Sequence, residues 1–264
     1  MGRHNLFEIK DALFFYGKLR VLAGLSLGID SGSFYGIMGP NGCGKTTLLD
    51  LMARITYLSP GNSGHIKFRG ININKYSRRK LAREIALVPQ NFYINFPYTV
   101  DEVVFMGRHP HIPRFGSPSS EDREITDWAM RVMDIERFRD KFVTELSSGE
   151  KQRVVFARCL AQDTPVLLLD EGTSSMDIHY ALKLLDLLRQ GVSQGKKTIV
   201  AVLHDLNLAA AFCDRIVFMK AGRVVASGPT ERVMTTENIK KVFNVDARIF
   251  HDPFSGSMQV AFRV

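Results

Sequence analysis

The 264-residue chain holds little that would anchor, export or cross-link it. It has three cysteines, Cys43, Cys159 and Cys213, and no CxxC pair. An odd, sparse set without ligand spacing argues against a disulfide framework or a zinc site and for a reducing compartment. The longest apolar runs, such as residues 199–203 and 166–169, are far shorter than the ~20 residues a bilayer-crossing helix needs. Residues 1–10 lack an apolar core, so no signal peptide is expected. Gly2 lacks the downstream Ser or Thr of a myristoylation motif, so no acyl anchor is expected. Repeats and low-complexity segments are absent. Long charge runs are absent too. Arg78-Arg79-Lys80 is the densest basic stretch and is too short for an interaction tail; a net charge of +8 fits a solvated basic surface, and by itself leaves nucleic acid, anionic lipid and polyanionic ligands open.

What remains is ordinary globular material, 45% hydrophobic and 23% charged, long enough for one large α/β domain or two lobes with a real core. Val-, Ile- and Leu-rich runs at 34–38, 85–88, 166–170, 198–203 and 215–219 show no alternation, as strands buried on both faces do. Helical stretches at 46–54, 179–194 and 206–213 follow three of these strands, which predicts a largely parallel sheet covered by helices. Residues 6–32 read as short antiparallel strands. A helical lobe inserted at 93–162 contains helices at 101–108, 120–133 and 150–162, with a Pro- and Gly-rich loop over 108–118. Residues 215–226 read as a hairpin turning at Ala221-Gly222, followed by a helix over 230–243 and a final strand.

The stretch Gly39-Pro40-Asn41-Gly42-Cys43-Gly44-Lys45-Thr46-Thr47 has the GxxxxGK[ST] pattern between a strand and a helix. Glycines let backbone N–H groups turn inward around phosphate oxygens, and the helix that follows aims its positive end at the same anion. Lys45 is placed to reach the outer phosphates and the Thr46 hydroxyl to ligate Mg²⁺. Further on, a buried strand ends in Asp170-Glu171. Neighbouring strand residues face opposite sides, so Asp170 is a candidate Mg²⁺ holder and Glu171 a candidate base for the attacking water. Gln90 and His204 each follow a strand end, where an amide can sense Mg²⁺ and water and an imidazole the γ-phosphate. Tyr16 is a candidate to stack on adenine; a core aromatic is the competing reading, because Phe14 and Phe15 are adjacent.

Leu146-Ser147-Ser148-Gly149-Glu150 precedes a helix, and Ser147 with Glu150 has the S-x-x-E spacing of a capping box. Here the chain resembles the ATP-binding cassette family, whose signature reads LSGGQ. The phosphate loop, Gln90, the signature, Asp170-Glu171, the segment Ser174-Ser175-Met176-Asp177 and His204 occur in the family's order across nearly the whole chain. The resemblance implies one ATPase domain over 1–264, with a core at 1–92 and 163–264 that includes the antiparallel strands, and a signature lobe at 93–162. It implies ATP and Mg²⁺ as cofactors. It also implies a dimer of two copies, in which Ser147, Ser148, Gly149 and Glu150 of one copy, with Asp177, complete the nucleotide site of the other. Three positions depart from the family pattern: Ser148 for a glycine, Glu150 for the glutamine, and Gly172 for a proline.

Val104-Phe-Met-Gly-Arg108-His109-Pro110-His111, His204-Asp-Leu-Asn-Leu-Ala209 and Cys213-Asp-Arg-Ile-Val-Phe-Met-Lys220 resemble the importer branch for iron–siderophore, haem and cobalamin. The implied partners are two polytopic permease subunits, a permease helix seated near residues 90–104, and an external binding protein. The implied place is the cytoplasmic face of the inner membrane, as a peripheral subunit. His109 and His111 then read as structural or surface residues. Three other readings compete. A DNA- or ribosome-acting cassette usually has a coiled-coil insertion or a second cassette, and the lack of both here points to no nucleic-acid partner. An exporter cassette is commonly fused to membrane helices. A non-hydrolysing nucleotide module does not need Glu171 and His204.

Overall fold

The computed structural model describes residues 5–58, 62–90, 96–171 and 176–263. In chain order the elements begin with β1 (Asn5–Tyr16), β2 (Leu19–Asp30), β3 (Phe34–Met38), α1 (Lys45–Met52), β4 (Ser63–Phe68) and β5 (Ile71–Asn72). Next come α2 (Arg78–Ala82), β6 (Ile85–Val88), α3 (Val100–Phe105), α4 (Ser120–Val132), α5 (Ser148–Ala161), β7 (Val166–Asp170) and α6 (Ile178–Ser193). The chain ends with β8 (Thr198–Val202), α7 (Leu206–Phe212), β9 (Arg215–Lys220), β10 (Arg223–Pro229), α8 (Thr230–Val233), α9 (Thr236–Phe243), β11 (Asp246–Asp252) and β12 (Ser257–Arg263). Two compact units result: Met1–Tyr76 with Arg189–Val264, and Ser77–Leu188.

The first unit holds an antiparallel sheet in the order β2-β1-β4-β5 and a group in the order β10-β9-β3-β8. In that group β3 runs parallel to both β8 and β9, with Ile37 opposite Val202 and Val217. Every residue of β3 and of β8 is buried, which is why neither alternates in sequence. Strand β10 returns antiparallel through Ala221 and Gly222, both left-handed at φ 48° and 74°. A Cβ on Gly222 would sit 2.4 Å from the Val21 carbonyl oxygen, so only glycine fits that turn.

The second unit pairs β6 with β7 in parallel, Val88 opposite Leu169. Between them in sequence come α3, α4 and α5, which pack on one another. Ser119 and Thr99 close capping boxes at the starts of α4 and α3. Arg108, only 5% exposed, donates to Asp122 at 2.9 Å and to the Ala161 carbonyl at 2.8 Å, so one guanidinium joins the end of α3 to α4 and α5. Burial pushes the Asp122 carboxyl up, but the Ser119 and Arg108 hydrogen bonds outweigh it and leave it below the ordinary value.

The α/β class with an antiparallel N-terminal sheet is as expected, and strands 34–38, 85–88 and 166–170 have the predicted bounds. Four features differ. The early strands are long, 12 residues each. They gain a third partner, β4, whose Phe68 lies opposite Phe7 with ring centroids 5.0 Å apart. The helix predicted over 230–243 breaks into α8 and α9, because the Thr235 hydroxyl accepts the Asn238 amide and starts a new helix. The final strand is a hairpin, β11 with β12. Tyr93, the expected start of the inserted lobe, lies outside the described residues. Among the described residues no helix is long and apolar enough to cross a membrane.

Replacing Arg108 by Met strands a buried carboxylate, so Arg108→Met should lower the unfolding free energy by about 3–5 kcal/mol in a urea titration. A loss no larger than that of a surface arginine would show the pair to be idle.

Candidate functional site

The first unit's candidate residues gather where β3 and β8 end. Parallel strands put their carboxyl ends on one edge, the usual place for ligands in such sheets. The Leu203 amide donates to the Ile37 carbonyl at 3.2 Å, which sets His204 and Gly39 side by side in register at that edge. His204 is exposed, and Asp205 caps α7 by accepting the Asn207 and Leu208 amides.

From Gly39 the chain turns through Pro40, Asn41, Gly42, Cys43 and Gly44 into α1. Lys45 is 5% exposed, and its Nζ donates to the carbonyls of Gly39 at 2.9 Å and Pro40 at 3.2 Å. The ammonium is thus folded back across its own loop, while Thr46 faces outward and Thr47 inward. Gly44 caps α1 with φ 101°, and a Cβ there would lie 2.8 Å from Leu22 Cδ2, so β2 packs directly on the loop. Burial pushes the Cys43 thiol up, which keeps it a neutral packing group.

Sequence reasoning missed what fixes this loop from behind. The Gly222 amide donates to the Cys43 carbonyl at 3.1 Å, and the Gly222 carbonyl accepts from Ala23 at 3.0 Å. The hairpin turn therefore braces the phosphate loop against β2. The only signal in sequence was a glycine at a turn. Tyr16 is 51% exposed and packs edge-on to Phe14 at 4.9 Å, while Phe14 occupies the core, so Tyr16 keeps a free ring surface.

In the second unit, Gln90 and Glu171 lie two residues beyond the paired Val88 and Leu169. Gln90 Nε2 donates to Glu171 Oε2 at 2.7 Å. Asp170 is 3% exposed and ends the strand. Glu171 lies just past the end of the strand and has φ 56°, so the extended backbone that strand alternation assumes stops at Asp170. Positive φ on a non-glycine residue is a strained conformation that clusters at functional sites.

The signature segment is a helix start, as its spacing predicts. Ser147 Oγ accepts the Glu150 amide, and Glu150 Oε2 accepts the Ser147 amide and hydroxyl, each at 2.8 Å. These bonds hold the Glu150 carboxyl below its ordinary value. Glu150 thus places a full negative charge on the end proposed for an anion. Three linked contacts then tie α5 down: Arg153 donates to the carbonyl of Asp134 at 2.9 Å and lies 4.2 Å from the centroid of Tyr180, whose hydroxyl donates to Asp134 at 2.8 Å. Tyr180 belongs to α6, which Asp177 opens by accepting the His179 amide at 2.9 Å. No motif or spacing in the chain signals this link. Gly172, Ser174 and Ser175 lie outside the described residues.

The sequence profile of the ABC transporter family matches residues 22–174. The chain is 39% identical over 91% of its length to the cobalamin import ATP-binding protein BtuD of Halobacterium salinarum, and spans 59% of that protein. It is 38% identical over 92% of its length to the ferric enterobactin transport ATP-binding protein FepC of Escherichia coli, and spans 88% of it. A solved structure of the ATP-binding cassette MJ0796, a post-hydrolysis dimer bound to ADP and Pi, superposes with TM-score 0.74 at 28% identity, covering 85% of this chain and 98% of that one.

Because the Glu150 carboxyl is acidified by its cap, its support of α5 is fully present above the ordinary value of 4.5 and fades as pH falls through the lowered one. Glu150→Gln keeps the cap but not the titration, so its stability relative to wild type should rise on acidification over that window. Urea midpoints of the two proteins that stay parallel from neutral pH down through that window would refute the assignment.

Proposed function

Since this chain belongs to the ABC transporter family, we propose that it is the ATP-hydrolysing subunit that powers import of an iron chelate or cobalamin through a membrane permease. The observation that carries the enzymatic half is the Gln90–Glu171 hydrogen bond at the ends of β6 and β7. A module that only bound nucleotide would gain nothing from a strained carboxylate held by an amide at a strand edge. The names of BtuD and FepC support the importer half.

The roles follow the chemistry of each group. The loop from Gly39 to Thr47 wraps the phosphates with its amides, and Lys45 exchanges its carbonyl partners for phosphate oxygens. Glu171 takes a proton from the attacking water, Gln90 orients that water, and His204 steadies the γ-phosphoryl group as its bond to the leaving ADP breaks and its bond to the water oxygen forms, giving inorganic phosphate. Tyr16 stacks on the adenine.

Mg²⁺ suits the donors present. Thr46 of the first unit and Asp170 of the second would each offer a hard oxygen ligand. Mg²⁺ prefers one or two protein oxygens with water and substrate phosphates completing its shell. It would supply charge neutralisation at the phosphates.

Two copies close on two nucleotides, with the Ser147–Glu150 helix start and Asp177 of each facing the γ-phosphate bound by the other. Helix N-termini favour anions, and the dimeric ADP- and Pi-bound cassette supports this arrangement. Closure drives polytopic permease subunits, whose short helix seats near residues 90–104, part of which lies outside the described residues. An external binding protein delivers the cargo, and the chain works as a peripheral subunit on the cytoplasmic face.

Lys45→Ala should weaken ATP binding at least tenfold in a fluorescence titration, because it removes the one buried cation of the loop. Undiminished affinity would contradict the phosphate-loop role. Glu171→Gln should slow hydrolysis by roughly 10²–10⁴-fold and accumulate an ATP-bound dimer on size exclusion. Unchanged turnover would remove Glu171 from the base role.

A further inference from the structure

The ATPase reading leaves one charged face of the second unit unused. Helix α2 carries Arg78, Arg79 and Lys80, with Arg83 just beyond, and all four are exposed. The loop after the Arg108 turn carries Arg114, also exposed, and Phe115, which is 96% exposed. The two segments are fastened together. Arg79 Nε donates to the Pro110 carbonyl at 2.9 Å, and its Nη2 donates to the Ile112 carbonyl. Arg83 donates to the same Pro110 oxygen at 2.7 Å and to the His111 carbonyl at 3.3 Å.

Carbonyl partners fix geometry without cancelling charge. Elsewhere in this unit arginines are neutralised: Arg123 and Arg139 meet Asp101 at 2.7 Å and 2.5 Å, and Arg139 meets Asp127 at 2.6 Å. Among the described residues none of Arg78, Arg79, Arg83 and Arg114 pairs with a carboxylate. The sequence shows why. There is no Asp or Glu between Asp50 and Glu84, nor between Glu102 and Glu121.

We propose that α2 and the Arg114–Phe115 loop tip form a docking face for anionic phospholipid headgroups. A cluster of exposed basic side chains is attracted to an anionic leaflet over about a Debye length. An aromatic ring held out beside an arginine, whose guanidinium lies 5.6 Å from the ring centroid, suits the headgroup layer. A membrane protein is the poorer match, because its cytoplasmic loops carry excess Lys and Arg and would repel this face. The inference goes beyond the importer reading, and its test needs neither nucleotide nor permease.

The full chain is sedimented with vesicles of phosphatidylcholine alone and of phosphatidylcholine with phosphatidylglycerol. Binding is expected only to the second, and raised salt should release it. The double variant Arg78→Glu with Arg114→Glu should cut the partition coefficient roughly tenfold or more, and Phe115→Ser about threefold. Both should keep the wild-type melting temperature and vesicle-free ATP hydrolysis. Equal binding to the two vesicle types would overturn the proposal, as would unchanged binding of the double variant. Retention on a poly-glutamate peptide without vesicle binding would assign the face to an acidic protein and likewise overturn it.

Discussion

A buried ammonium held, among the described residues, by carbonyls rather than a carboxylate sets the terms for the first unit. Lys45 is almost fully enclosed, and its hydrogen-bond partners are the carbonyls of Gly39 and Pro40. Carbonyl dipoles compensate a buried charge only in part, so the loop holds a cation that a phosphate satisfies better. Keeping that cation in place requires a rigid turn, and the turn is built from several directions. Strand β3 delivers it, β2 presses on Gly44, and the β9–β10 turn donates to the Cys43 carbonyl. A hairpin distant in sequence therefore belongs to the phosphate loop in every mechanical sense.

The second unit solves a different problem. It must keep two adjacent acids at the end of one strand. Asp170 is buried at the strand end, and Glu171 follows it in a left-handed conformation. Gln90, from the adjacent parallel strand, holds the Glu171 carboxylate by its amide. Register does this work: because Val88 lies opposite Leu169, the residues two steps on emerge together. The same unit fixes the signature helix through a ring, a guanidinium and a carboxylate, with Tyr180, Arg153 and Asp134 linking α5 to the helix that Asp177 begins.

Glu150 stands at a point of tension. Its carboxylate satisfies the Ser147 amide and hydroxyl, as a glutamine oxygen would, and so keeps the helix start well formed. It also adds negative charge at the end of a helix whose dipole favours an anion. Local stability and anion binding pull in opposite directions there, and the acid favours the first.

The sequence alone determined the α/β class, the bounds of three buried strands, the glycine-rich loop ahead of α1, the pair of acids at a strand end and the capped start of α5. Each of these is local: a run of apolar residues, a glycine pattern or an S-x-x-E spacing fixes its own backbone. Tertiary structure decided the rest, because it depends on partners far away in the chain. The third strand of the antiparallel sheet exists because Phe68 and Ile66 find Phe7 and Ile9 across it. Tyr16 rather than Phe14 keeps an exposed ring because the pairing of β1 turns Phe14 into the core. The Gly222 brace, the Arg153–Tyr180 link and the Gln90–Glu171 bond join residues 179, 27 and 81 positions apart, counting Gly222 to Cys43, Tyr180 to Arg153 and Glu171 to Gln90. Periodicity and motif spacing report only what neighbours along the chain do, so these contacts had to be seen in the fold.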